Sequence, residues 1–162
     1  MYKRQNKSQE LIDSINDSVG GPAALSGMHG TAPGAVETDE TAIFRILYEA
    51  RYGEVGVQPF IGEGFDAFMI AALATEHAGA YESSAIRDSI RAVANPPGIK
   101  VGPGDIAKAL ELIRGGHDID YEGVAGEQNF DDNGDVLGTI EIWKIDENGQ
   151  ICLLYTSPSP RD

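Results

Sequence analysis

Gly102-Pro-Gly104-Asp-Ile-Ala107 has the G-x-G-x-x-A spacing of a dinucleotide fingerprint, in which glycines let the backbone approach a pyrophosphate at a helix N-terminus. That chemistry needs a strand ahead of the first glycine, and no convincing strand is expected beside Asn95-Pro-Pro-Gly98. Pro103 also lacks the N–H that a pyrophosphate would use. The segment therefore reads as a loop capped into a helix by Asp105. Asp131-x-Asn133-x-Asp135 has the opening rhythm of a calcium loop, but Val136 stands where glycine is needed and Ile142 where glutamate is needed. A tight turn with Asn133-Gly134 at its corner fits better. His29, His77 and His117 are scattered, and His77 lacks the H-E-x-x-H pattern. Ser26, Ser83, Ser84 and Ser89 have no G-x-S-x-G surroundings. Glu63 and Asp66 lie one helical turn apart and, with His77, give the one enzyme reading, an acidic hydrolase. First-turn carboxylates that complement a helix dipole explain the pair more simply. Asp118, Asp120 and Glu122 read as a solvated loop. The expectation is a protein with no catalytic residues, no metal and no cofactor.

Charge narrows the partners. The 162 residues carry a formal charge of −14. So acidic a surface repels phosphate backbones and anionic membranes, so nucleic acid is not an expected partner. The longest apolar run, Phe68-Met-Ile-Ala-Ala-Leu-Ala74, is far short of the ~20 residues that span a bilayer, so no membrane insertion is expected. The only cysteine is Cys152, which leaves no disulfide to form within the chain.

The two ends differ in character from the rest. Cys152-Leu-Leu-Tyr-Thr-Ser-Pro-Ser-Pro-Arg-Asp162 resembles one translation of a transposon-type sequencing-library adapter, and Met1-Tyr-Lys-Arg-Gln5 resembles the opposite strand. Setting residues 1–5 and 152–162 aside leaves 9 basic and 25 acidic side chains in residues 6–151, a formal charge of −16. This stretch is expected to be an internal piece of a longer protein.

Its periodicity predicts five helices and two or three strands. Ser8 caps the first, which turns Leu11, Ile12 and Ile15 inward before Gly20-Gly21-Pro22. An extended run, 27–31, follows. The second helix starts near Thr38, faces Ile43, Phe44, Leu47 and Tyr48 inward and stops at Gly53. The third begins around 60–64, is dense enough in Phe65, Phe68, Met69, Ala72 and Leu73 to be buried on more than one side, and ends at Gly79. Ser83 or Ser84 caps the fourth, which breaks at Asn95-Pro-Pro-Gly98. The fifth spans 106–114. Residues 140–145 then alternate around Trp143 as a strand, with Asp146-Glu-Asn-Gly149 as a hairpin turn. So many helices need more sheet than these strands supply.

Four segments in order carry a family resemblance: Leu25-Ser-Gly-Met-His-Gly-Thr-Ala-Pro33, the Phe65-Asp-Ala helix within 64–79, Ala85 to Pro97-Gly98 with Val101-Gly-Pro-Gly-Asp105, and Asp120-Tyr-Glu-Gly…Phe130-Asp-Asp-Asn-Gly-Asp135. Together they resemble the type I periplasmic binding proteins, with the branched-chain amino acid (leucine, isoleucine, valine) receptors of ABC importers as the nearest subgroup. The resemblance implies a partial α/β fold: two lobes, each a parallel sheet flanked by helices, here rich in helices and poor in strands. Residues 6–55 would belong to lobe 2, 56–64 to a hinge crossing, 65–130 to lobe 1, and 131–151 to a return crossing and a lobe 2 strand. It also implies a periplasmic or extracytoplasmic receptor that closes on an amino acid or amide and is recognised by an inner-membrane ABC permease. Most ligand contacts of the family precede this stretch, so the piece is not expected to bind by itself. Phe60 and Glu63 remain as ligand-binding candidates at the cleft edge. A cytoplasmic amide- or amino-acid-sensing regulator of the same fold is the alternative.

Overall fold

The computed structural model describes residues 9–34, 37–55 and 60–158. In chain order they form α1 (Gln9–Val19), a 3-10 turn (Pro22–Leu25), β1 (His29–Pro33), α2 (Asp39–Tyr52), α3 (Ile61–Ala78) and α4 (Ser83–Ala94). There follow β2 (Ile99–Val101), a 3-10 turn (Pro103–Asp105), α5 (Ile106–Arg114), β3 (Ile119–Gly123), β4 (Gly126–Glu127), β5 (Thr139–Ile145) and β6 (Ile151–Pro158). The fold class is α/β and rich in helices, as expected. Six strands among the described residues replace the expected two or three. β2, β3 and β4 escape the pattern because they are only two to five residues long, too short for an alternation to stand out. Ser8, the expected first cap, lies outside the described residues.

Contacts divide the chain into two compact units, residues 1–35 with 138–162, and residues 36–137. In the first unit an antiparallel sheet runs in the order β1-β5-β6. Trp143, 1 % exposed, is its centre, packed with Ile12, Ile145, Met28 and Ile151. β5 buries Glu141, Trp143 and Ile145 on one face and leaves Ile140 and Ile142 half-buried on the other. The Asp146 carboxylate closes the hairpin by accepting from the N–H groups of Asn148 and Gln150, at 2.8 and 2.9 Å. Its second strand, β6, takes in residues 152–158 of the tail set aside above, pairing through backbone groups with Leu153, Leu154 and Tyr155 largely exposed. Of the expected α1 stripe only Ile12 is buried, because α1 meets the sheet along the narrow i,i+4 line of Ile12 and Asn16; Leu11 and Ile15 face solvent.

In the second unit β2 and β3 are parallel and joined by α5, and β4 folds back antiparallel on β3. Ile70, Leu73, Val93, Val101, Ile119 and Tyr121 form the middle of the core. α3 is buried on one side only: Phe68 is 68 % exposed and Ala72 is also outward, whereas Ile70, Leu73 and Ala74 are inward. At the end of α4, Asn95 pairs through both side-chain atoms with the backbone of Phe130. α2 falls within this unit. Thr38 and Thr41 form its capping box, and the Thr41 hydroxyl donates to the Val124 carbonyl at 2.9 Å. Only Phe44 of the four expected inward residues is fully buried.

Gly30 lies opposite Trp143 in register, and a Cβ there would run into the indole ring. Gly30→Ala should therefore displace the ring and cost about 1–3 kcal/mol. Trp143 is the only tryptophan, so a red-shifted emission with an earlier urea midpoint is the expected outcome. Unchanged emission and midpoint would refute the packing.

Candidate functional site

Asp66, which the sequence placed on the surface, lies in the core of the second unit, 1 % exposed. Glu63, one turn earlier on α3, is exposed, whereas the Asp66 side chain is buried against β3. There its Oδ1 accepts from the Tyr121 hydroxyl at 2.9 Å and from the Val124 N–H at 2.8 Å. Its Oδ2 accepts from the Ala125 N–H at 2.8 Å. Gly123 must be glycine beside it, since a Cβ would overlap the carboxylate. Burial pushes the Asp66 carboxyl above the usual carboxylate range; the N–H groups of Ala125 and Val124 and the Tyr121 hydroxyl oppose that, and Glu63 adds to it. Burial, and then the Asp66 charge, hold the proton on the Tyr121 phenol.

This geometry disposes of the acid/base reading. All of the short contacts of Asp66 are spent on β3 and the turn after it, while Glu63 and His77 lie on the exposed side of α3. The other acids of β3 are likewise not a solvated loop. Asp120 is 6 % exposed with its carboxyl raised by burial and by Glu122, and Glu122 bonds to Lys100. Only Asp118 keeps the expected exposure.

The binding candidates stand at the start of α3. Phe60 is its N-terminal flanking residue, 54 % exposed and in the left-handed region at φ 69°, ψ 18°. A residue with a Cβ gives up about 1–2 kcal/mol to sit there. Glu63 is exposed in the first turn. Both lie outside the lining of the groove in this unit, a space of about 480 Å³. Its walls are Phe44, Leu47, Tyr48 and Tyr52 of α2, Ile61, Phe65 and Met69 of α3, and Pro103 and Ile106. Phe44 packs on Phe65 at 4.9 Å between ring centres, and Tyr48 and Tyr52 continue the row. Among the described residues no charged side chain lines this groove, so a free amino acid would lose the hydration of both charges there with nothing in return.

The two loops that mimic known motifs have other work. β2 does precede Gly102, contrary to expectation; its three residues, Ile99–Val101, pair in parallel with β3. Yet the space over Gly102 is taken by the Glu40 carboxylate, and Gly104 lies against Ile43, so both glycines serve the docking of α2. The Asp131 Oδ1 accepts from the N–H groups of Asn133 and Asp135, and Gly134 turns at φ 88°, which makes 131–135 a side-chain-closed turn. Among the described residues no three His, Cys, Asp or Glu side chains gather where they could hold a metal ion.

Asp66→Asn tests the buried carboxylate. The amide nitrogen would face the Ala125 N–H, donor against donor, and a loss of about 1–3 kcal/mol is expected in the urea midpoint of the second unit. Tyr121→Phe, which removes one hydrogen bond without adding a clash, should lose about 0.5–1.5 kcal/mol. Equal stability of wild type and Asp66→Asn would contradict the network.

Comparison with known proteins places this architecture. No family model matches the chain. Over 130 residues it is 25% identical to the chemotactic signal transduction system substrate-binding protein BasB of Halobacterium salinarum, covering 74% of this chain and 32% of that protein. Its fold is similar to the crystal structure of the leucine-binding protein LivK of Thermotoga maritima, with a TM-score of 0.54 and 22% identity, covering 92% of this chain and 34% of that one. The chain thus spans about a third of the length of each protein it matches. It carries part of the fold of the type I periplasmic binding proteins.

Proposed function

We propose that this chain is part of an extracytoplasmic solute receptor that captures a small amino acid or amide by hinged closure of two lobes, without chemistry of its own. The likeness of fold to a leucine-binding protein across 92% of the chain carries this reading. A ligand that prefers the closed arrangement shifts the population towards it, and the closed form is the signal read by a membrane partner. The amino acid's carboxylate would be met by N–H groups at helix N-termini and its ammonium by a carboxylate. Phe60 and Glu63 are the residues of this chain assigned to the cleft edge, as an apolar wall and an ammonium partner. Residues 36–137 are assigned to one lobe and residues 6–35 with 138–151 to the other, following the division of contacts. The membrane partner in this reading is an ABC permease of the inner membrane, and branched-chain amino acids are the first solutes to try.

A second reading follows from a name. The Halobacterium salinarum relative is called a substrate-binding protein of a chemotactic signal transduction system. A receptor of this fold can therefore be proposed to report its solute to a signalling partner instead of a permease.

Extending the coding sequence on both sides and purifying the longer protein provides the test. Leucine, isoleucine or valine at about 1,000 times Kd should stabilise it by roughly 4 kcal/mol, read as a rise in Tm. Phe60→Ala and Glu63→Gln should weaken that response. The 162-residue chain alone is expected to show no such rise. Tm values insensitive to every amino acid and amide in the longer protein would overturn the reading. So would a leucine-dependent rise in the short chain.

A further inference from the structure

We infer that Glu40 is an acid-closed latch: its carboxyl group, seated over the side-chain-free backbone of Gly102, fastens the first turn of α2 to the loop between β2 and α5 most tightly when it carries a proton. The seat is a matter of shape. Gly102 is buried, and the carboxyl group of Glu40 fills the space in which any Cβ would have to lie. One turn along α2, Ile43 rests on Gly104, where an added Cβ would come within 3.1 Å of its Cγ2. The Gly102-Pro-Gly104 sequence is thus a landing surface for α2.

Charge sets the direction of the latch. The groups facing Glu40 are Asp39 on α2, Asp105 on the 3-10 turn and Glu122 on β3, all acidic, with the Tyr121 phenol behind them. The cations on the adjoining elements are engaged, Lys100 with Glu122 and Lys108 with Asp105 at 3.9 Å. Burial first, and then Asp105, Glu122 and Asp39, hold the Glu40 carboxyl above its ordinary range. The docked form therefore keeps the proton at a pH where a freed α2 would release it. Docking gains as pH falls through the docked value and loses that gain as pH rises above it. Because Phe44, Leu47 and Tyr48 of α2 wall the apolar groove, the same latch fixes one side of that groove. The latch stands on the geometry of the second unit alone and does not rest on the solute reading.

Hydrogen exchange of the 162-residue chain at pH 4.5, the ordinary glutamate value, and at pH 7.5, as protection factors corrected for intrinsic rates, reads the latch directly. Amides of α2 should be several-fold better protected, relative to those of α4, at the lower pH. Glu40→Gln keeps the shape and removes the charge, so it should hold α2 at the higher protection at both pH values. Gly102→Ala puts a methyl group in the seat and should lower α2 protection and abolish its pH response. An α2 that keeps the wild-type pH response in Glu40→Gln, or loses protection in it, would overturn the inference. So would a Gly102→Ala variant indistinguishable from wild type.

Discussion

A carboxylate buried from solvent organises the larger unit of this protein. Asp66 reaches from the second turn of α3 into the core and satisfies two backbone N–H groups and one phenol on β3 and the turn that follows. A buried charge left without such donors would cost several kcal/mol, so the donors and the acid have to arrive together. The arrangement dictates its neighbours. Gly123 has no room for a side chain, Tyr121 must keep its proton, and the Val124 carbonyl is left pointing at Thr41. In this way one side chain sets the distance between α3 and β3 and offers α2 its anchoring point.

The same short turn serves two helices, which explains why α2 belongs with residues 36–137. Thr41 of its capping box holds Val124 from one side while Asp66 holds it from the other, and Glu40 and Ile43 settle on the two glycines of the β2–α5 loop. What this packing leaves between α2 and α3 is an apolar groove with two tyrosines in its wall. Its chemistry is wrong for a zwitterion. It has the character of a packing surface.

Much of this was legible in the sequence. Helix punctuation came through because its causes are local: Gly53 and Gly79 end α2 and α3, Asn95-Pro-Pro ends α4, and Thr38 caps α2. The β5 turn was legible for the same reason, since Asp146 closes it with its own side chain. The short strands were not, because β2 and β3 are defined by pairing with each other across a helix. Asp66 was misread for a related reason. The sequence pattern reads it as a first-turn acid, whereas α3 starts at Ile61 and puts it in the second turn, where Tyr121, 55 residues later, draws it into the core. The exposure of Leu11, Ile15 and Phe68 shows the reverse error, in which periodicity marks a face without saying that anything covers it.

The central claim is that Asp66 clamps the turn after β3, and amide exchange at two positions measures it. The N–H groups of Val124 and Ala125 belong to a turn, but each donates to the buried carboxylate. They are expected to exchange as slowly as the N–H groups in the interior of β3, opening only when the unit unfolds. Free exchange at Val124 and Ala125 beside a protected β3 would contradict the account.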